Sequence, residues 1–364
     1  MESCSTSSLW LVRLAALTIW LLLAAVHPAG AQEVAPETVD QFYRGRVVEI
    51  VHEETQDLAG YPQLLQRVVV NLHGRRVNAE HSDLATDPAR RLAVGERVVV
   101  AATESGYVVV DRDRLPALAF LFGLFFAIVV AFTRWRGVAS VLGMVISAVV
   151  LITLVVPQIL AGRSPLATSV AGALIIAVAS IYLAHGISRR TSVAVVGTLI
   201  TLALVGALSV VFVSVARLFG AGTEEAFYLQ LGPLEQLNLR GLLLGGIILG
   251  ALGVLDDITT AQAAAVDEIG RANPALQARE LYQRGVSVGT EHITALVNTL
   301  FLAYAGASLP LFLLFTLSED QPLWVLVNSE FIAEEIVRTM AGSIALVLAV
   351  PITTLLAAYA LRRG

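Results

Sequence analysis

The chain has 364 residues, 56% of them hydrophobic and 15% charged, with a mean hydropathy of +0.75, too apolar for an ordinary soluble protein. All 24 basic residues are arginines, which excludes a Walker-type P-loop lysine, a Schiff-base lysine and a lysine general base. The net charge of -5 argues against a nucleic-acid partner, and the lone Cys4 excludes an internal disulfide, a CxxC zinc site and an iron–sulfur cluster.

Residues 1–31 read as an export signal. Arg13 precedes the apolar run Leu14 to Val26, and Ala29-Gly30-Ala31 offers an A-x-A cleavage site before Gln32. An uncleaved signal anchor is the alternative, and either would export the segment beginning at Gln32. Cys4 lies too early to be a lipobox cysteine.

From residue 32 to 114 the composition turns to soluble β. Runs rich in β-branched residues occur at Arg46–Val51, Arg67–Leu72, Arg75–Ala79, Glu96–Ala101 and Tyr107–Val110. Gly74, Asp83–Pro88, Gly95 and Ser105-Gly106 punctuate them. Five strands in so short a stretch predict a small exported β-barrel, OB-like in type. Stacking on nucleic acid needs exposed aromatics in a basic groove. Only Phe42, Tyr43, Tyr61 and Tyr107 are present, among mixed charges, so a structural or protein-contacting role fits better. His52, His73 and His81 match no metal-ligand spacing and read as solvated histidines.

The membrane domain occupies residues 115–364. Spans are expected at 115–133, 137–160, 166–184, 192–217, 241–267, 290–317 and 339–361, an α-helical polytopic membrane protein of about seven helices. Arg134 and Arg136, Arg189 and Arg190, Arg271, Arg279 and Arg284, and Arg362 and Arg363 fall on alternate connections. The opposite loops carry Glu224, Glu225, Glu235, Glu319 and Asp320, with Arg163 and Arg240 as exceptions. By the positive-inside rule the β domain lies outside the cell and the C-terminus inside.

The fifth span is the least ordinary. Gly241, Gly245, Gly246, Gly250 and Gly253 line its first half, and Gly246-x-x-x-Gly250 would allow close backbone packing. Asp256 and Asp257 follow, with Thr260 after them. From Gly241 to Leu255 the rise is about 22 Å, so the acid pair falls in the cytoplasmic half of the hydrocarbon or at its edge. Asp256 and Asp267 are eleven residues apart and share a face, as do Asp257 and Glu268. A carboxylate there costs a few kcal/mol or more and should face a partner, a cavity or water.

The sixth span offers partners. Glu291, Thr294 and Asn298 recur on one stripe, with His292 and Thr299 beside it. Gly306-Ala-Ser-Leu-Pro310 reads as a helix break, of the sort transporters use to bind ions. Before the last span, Ser329 could cap a helix in which Glu334 pairs with Arg338. No GxSxG, HExxH or GxGxxG occurs, so no catalytic residue, cofactor or metal site is expected.

The run Leu239–Asp256, the later Glu268-Ile and Ala272-Asn-Pro resemble the YibE/F-like family of bacterial multi-span membrane proteins. So do Asn298–Tyr304, Gly306–Pro310 and Asn328–Arg338 with the following Ala-Gly-Ser and Pro351, and Gly95–Val100 in the β domain. The family pattern has one aspartate after Val or Met; Asp256 takes that position and Asp257 is an added acid. The resemblance implies a bacterial plasma-membrane location and brings no biochemical activity with it. The residues themselves favour a transporter or permease for a small ion or solute, ion-coupled in one form. The rival is a scaffold or sensor whose residues 32–114 bind an envelope protein, and an intramembrane enzyme comes third.

Overall fold

The computed structural model describes residues 41–58, 61–84, 87–104, 106–231, 236–310, 313 and 322–361. The export-signal reading of residues 1–31 lies outside them, as do Glu235, Glu319, Asp320, Arg362 and Arg363. The described residues fall into two units, one running to Val129 and one from Val130 onward.

The first unit holds a closed five-stranded barrel: β1 (Gln41–Leu58), β2 (Tyr61–Leu72), β3 (Arg75–Leu84), β4 (Arg97–Thr103) and β5 (Gly106–Arg112). The strand order is β1-β2-β3-β5-β4, with β3 and β5 parallel and every other pair antiparallel. The five strands close on themselves and leave no free sheet edge. All five expected strands form, and the first two run longer than their apolar runs suggested. β1 serves two neighbours, pairing with β4 through Gln41–Arg46 and with β2 through Arg46–Leu58. Irregularities at Val47/Glu49 and Ile50/His52 bend it between the two. At Gly45 a Cβ would meet Val70 and, at 2.6 Å, Leu72, so only glycine lets the strand close across the core. His73 and Gly74, both with positive φ, make the tight turn between β2 and β3, and Asn71 Oδ1 accepts from Gly74 N at 2.8 Å.

The inward alternation of β3 runs Val77, Ala79, His81. That corrects the solvated reading of His81: the two-residue period carries it inside, where neither ring nitrogen finds a hydrogen-bond partner. His52 and His73 are exposed as expected. Gln66 is also buried but fully used, donating to Glu53 at 2.9 Å and accepting from Leu92 N at 2.8 Å. It ties the link between β3 and β4 to the barrel wall. After the barrel comes α1 (Leu115–Thr133), apolar all round, with no buried residue.

The second unit is helical: α2 (Trp135–Leu160), α3 (Pro165–His185), α4 (Arg189–Val215), α5 (Glu224–Leu231), α6 (Leu239–Ala272), α7 (Ala278–Ala307), α8 (Leu323–Val327) and α9 (Glu330–Ala360). Among the described residues six helices are long and apolar enough to cross a membrane: α1, α2, α3, α4, α6 and α9. α7, which holds the start of the expected sixth span, is long enough but falls outside that set, because Arg279, Glu280, Arg284, Glu291 and His292 crowd its first half.

α6 is the central helix. Its Leu243, Leu244, Ile247, Ile248, Ala251, Leu252, Leu255 and Ile258 form one core with Ala173 and Ile176 of α3, Leu202 and Val205 of α4, Leu300 of α7 and Ala345, Leu346, Ala349 and Val350 of α9. In α2 a wide π-type turn over Leu151–Val155 precedes Pro157 and pushes Val155 against Gly172 of α3, leaving no room for a Cβ there.

The stem before the last span is not separate: α9 runs unbroken from Glu330 through Pro351 to Ala360. Its ion pair also differs from the expected one. Arg338 bonds Glu335 at 3.0 Å, because Glu334 turns the other way and accepts from Gly222 N at 3.1 Å. Glu330 likewise accepts from Phe219 N at 2.5 Å, so two acidic side chains of α9 hold the turn after α4. Ser329 occupies the N-cap position but makes no cap bond; its hydroxyl donates to Leu326 O at 2.7 Å. Arg217, just past the end of α4, joins Arg163 and Arg240 as an exception to the charge pattern.

Candidate functional site

α6 starts at Leu239, capped by Asn238, whose Oδ1 accepts from Gly241 N at 2.9 Å. Its 34 residues extend about 51 Å, well beyond a hydrocarbon core of roughly 30 Å. Asp256 lies about 26 Å along it. The eleven-residue spacing holds: Asp256 and Asp267 turn toward the bundle, while Asp257 and Glu268 are exposed. Asp256 is half-buried and accepts from Ser180 Oγ of α3 at 3.0 Å. Asp267 is buried and bonds Arg271 one turn on, at 2.8 Å. The four acids thus divide into one that reaches a neighbouring helix, one neutralised locally and two facing outward.

Around Asp256 the next turns of α6 carry polar ties to its neighbours. Thr259 shares a 2.6 Å hydrogen bond with Thr198 of α4. Gln262 donates both to Gly285 O of α7, at 2.8 Å, and to Thr354 Oγ1 of α9, at 2.7 Å. Thr260 donates to the carbonyl of Asp256 at 2.9 Å and lines a cavity of about 210 Å³ with His185, Arg190, Thr191, Ala194, Ala261 and Ala264. A larger cavity of about 610 Å³ shares His185 and Arg190 with it. Asp256 itself lines neither cavity; Thr260, one turn further along α6, lines the smaller one.

The sixth-span candidates are not gathered there. Glu291, His292, Thr294 and Asn298 are all exposed on α7, and the side chain that meets Asp256 is Ser180. α7 ends at Ala307, with Ser308 as its C-cap, ahead of Pro310. The close-packing glycines differ from those expected. A Cβ at Gly246, Gly253 or Gly306 would meet nothing, and one at Gly250 would meet only the Tyr304 hydroxyl, at 3.3 Å. The tight positions are Gly245, against Ser169; Gly197, against Thr353; and Gly285 and Gly289, against Thr354 and Val350. The helical phase explains this, since Gly245 faces α3 and its neighbour Gly246 points away.

Comparison with known families draws the same outline. The profile of the YibE/F-like proteins matches residues 121–363. The chain belongs to the YibE/F-like family. With six apolar helices, it is a membrane protein. The match covers the helical unit and leaves the barrel outside it. No curated protein and no solved structure matches the chain.

Set on this structure, the stretches that resembled the YibE/F-like family do different work. Asn328–Arg338 supplies Glu330 and Glu334, which secure the turn at Phe219–Gly222. Leu239–Asp256 supplies much of the buried face of the central helix and ends at the carboxylate that meets Ser180. Ser180, Thr198, Gln262 and Thr354 were missed in the sequence. Their signal is a small polar or amide side chain in an apolar span, which is frequent in membrane helices and does not name its partner.

Proposed function

We propose that this YibE/F-like protein is an ion-coupled transporter or permease in a bacterial plasma membrane, with the barrel outside the cell and the C-terminus inside. The observation that carries the reading is Asp256, a half-buried carboxylate in the apolar helix α6, bonded to Ser180 of α3 and one turn from Thr260, which lines a cavity. An ionisable group kept at such depth needs a use that offsets its cost, and proton or cation carriage is one. Protonation of Asp256 would weaken the interhelical contact with Ser180, linking charge state to packing between α3 and α6. The test is proton or cation flux into proteoliposomes under an imposed potential, wild type against Asp256→Asn. The expected result is loss of flux with an unchanged melting temperature; normal flux in the variant would sink the reading.

A second reading is favoured by the outer face of the barrel. Phe42 and Val108 both pair with Ala101 across β4, and Phe42 is 63% exposed. Together with exposed Val110 they form an apolar ridge that suits a protein contact. On that scaffold reading, Phe42→Asp abolishes function while Asp256→Asn is silent.

A further inference from the structure

The larger cavity near the end of α6 has a lining that the transport reading does not use. Four arginines from three separate segments converge on about 610 Å³: Arg136 at the start of α2, Arg189 and Arg190 at the start of α4, and Arg271 in the last turn of α6. Its acidic lining is Asp267 and Glu268, and both lie against Arg271, at 2.8 and 3.7 Å. Among the described residues no ion pair takes up Arg136, Arg189 or Arg190. The positive-inside rule accounts for basic residues on these connections, but it does not require three of them to share one concavity. Like charges gathered there repel unless an anion sits between them.

The chemistry of that anion can be read from the donors. Guanidinium groups present paired N–H donors that match phosphate oxygens, and they stay charged at any physiological pH. The first turn of the 27-residue α4 opens on the same space, adding the positive end of a helix. The volume falls in the range of ordinary ligand pockets. We propose that this cavity binds a phosphate-bearing anion through Arg136, Arg189 and Arg190, with Arg271 held in place by Asp267 and Glu268. The ligand is either an anionic phospholipid headgroup or a free phosphate compound. The proposal does not depend on transport, because it needs neither Asp256 nor a translocation step.

The test uses the full chain in a neutral detergent and reads the melting temperature while inorganic phosphate or phosphatidylglycerol is titrated in. Sodium chloride at matched ionic strength and phosphatidylcholine are the references. Binding to the native state raises the melting temperature with ligand concentration, so each titration gives an apparent Kd. At least one probe should stabilise the wild type, and R189Q/R190Q should raise the apparent Kd tenfold or more. R163Q, in the turn between α2 and α3, should leave it unchanged. A response to phosphatidylglycerol alone assigns the site to a lipid headgroup; a response to inorganic phosphate as well assigns it to a free anion. If the double variant fails to fold, R136Q on its separate helix takes its place and should raise the apparent Kd at least threefold. Stabilisation by neither probe beyond its reference, or an unchanged titration in the folded variant, overturns the proposal.

Discussion

Gln262 shows how a buried amide can hold a helix bundle together where apolar contact with lipid costs nothing. Its Nε2 joins Gly285 O and Thr354 Oγ1, so one side chain bridges α6, α7 and α9. Replacing it with leucine leaves the Gly285 carbonyl and the Thr354 hydroxyl short of a donor in a dry core. Interhelical hydrogen bonds in membranes are worth roughly 0.6 to 2 kcal/mol each, so Gln262→Leu is expected to destabilise by about 1–3 kcal/mol and lower the melting temperature. An unchanged melt would mean the bonds contribute only specificity. Ser180→Ala is a gentler case, because it removes one hydroxyl and leaves the Asp256 carboxylate in place; flux should fall with little change in melting temperature. The sequence pointed to Asp256 through the rarity of charge in a span, but not to Ser180 or Gln262. Serine and glutamine are cheap enough in membrane helices that neither announces a partner. His81 failed for the opposite reason, since counting ligand spacings ignored the strand period that buries it.

At the scale of elements, periodicity decided what could be read. The five β-rich runs each became a strand, and six apolar stretches became helices that can cross a membrane. What the runs could not convey is which glycine on α6 faces a neighbour, because five of them lie within 13 residues and spread over half the helical wheel. The structure singles out Gly245 on α6 and, across α7, Gly285 and Gly289. A Cβ at Gly289 would meet Val350 and, at 2.8 Å, the oxygen of Gln262, so Gly289→Leu should force α7 away from α9. Overpacking typically costs about 1–3 kcal/mol, and the loss of the Gln262 bonds would add to it. Gly253→Leu, at an open position, should melt like the wild type after correction for helix propensity. Equal melts for the two variants would contradict the packing described. The stem of α9 was also only half legible. Glu334 and Arg338 have helical-pair spacing, yet a turn 112 residues away competes for Glu334 and wins.

The largest question left by the whole molecule is whether α7 crosses the membrane, since composition alone keeps it out of the six apolar spans. The packing offers a ruler. Gly270 of α6 lies beside Leu281 of α7, Val266 beside Gly285, Gln262 beside Gly289 and Gly250 beside Tyr304. These pairs descend one helix as they climb the other, so α7 runs antiparallel to α6 and stays against it from Leu281 to Tyr304. That stretch spans about 35 Å at the helical rise, close to the roughly 30 Å of a hydrocarbon core. We expect α7 to follow α6 into the membrane, with its polar first half beside the turns of α6 that follow Asp256 and its apolar second half reaching Gly250. A crossing by α7 would bring the six to seven, the number the arginine pattern needs to keep Arg136, Arg189, Arg190 and Arg271 at one end. Single cysteines placed at Ile187, Pro274 and Ser308 in a Cys4→Ser background, and labelled with an impermeant maleimide, measure this directly. Ile187 and Pro274 should react from one side of the membrane and Ser308 from the other. Labelling of all three from the same side would make α7 a re-entrant helix, and the alternation of charge along the chain would then need a different explanation.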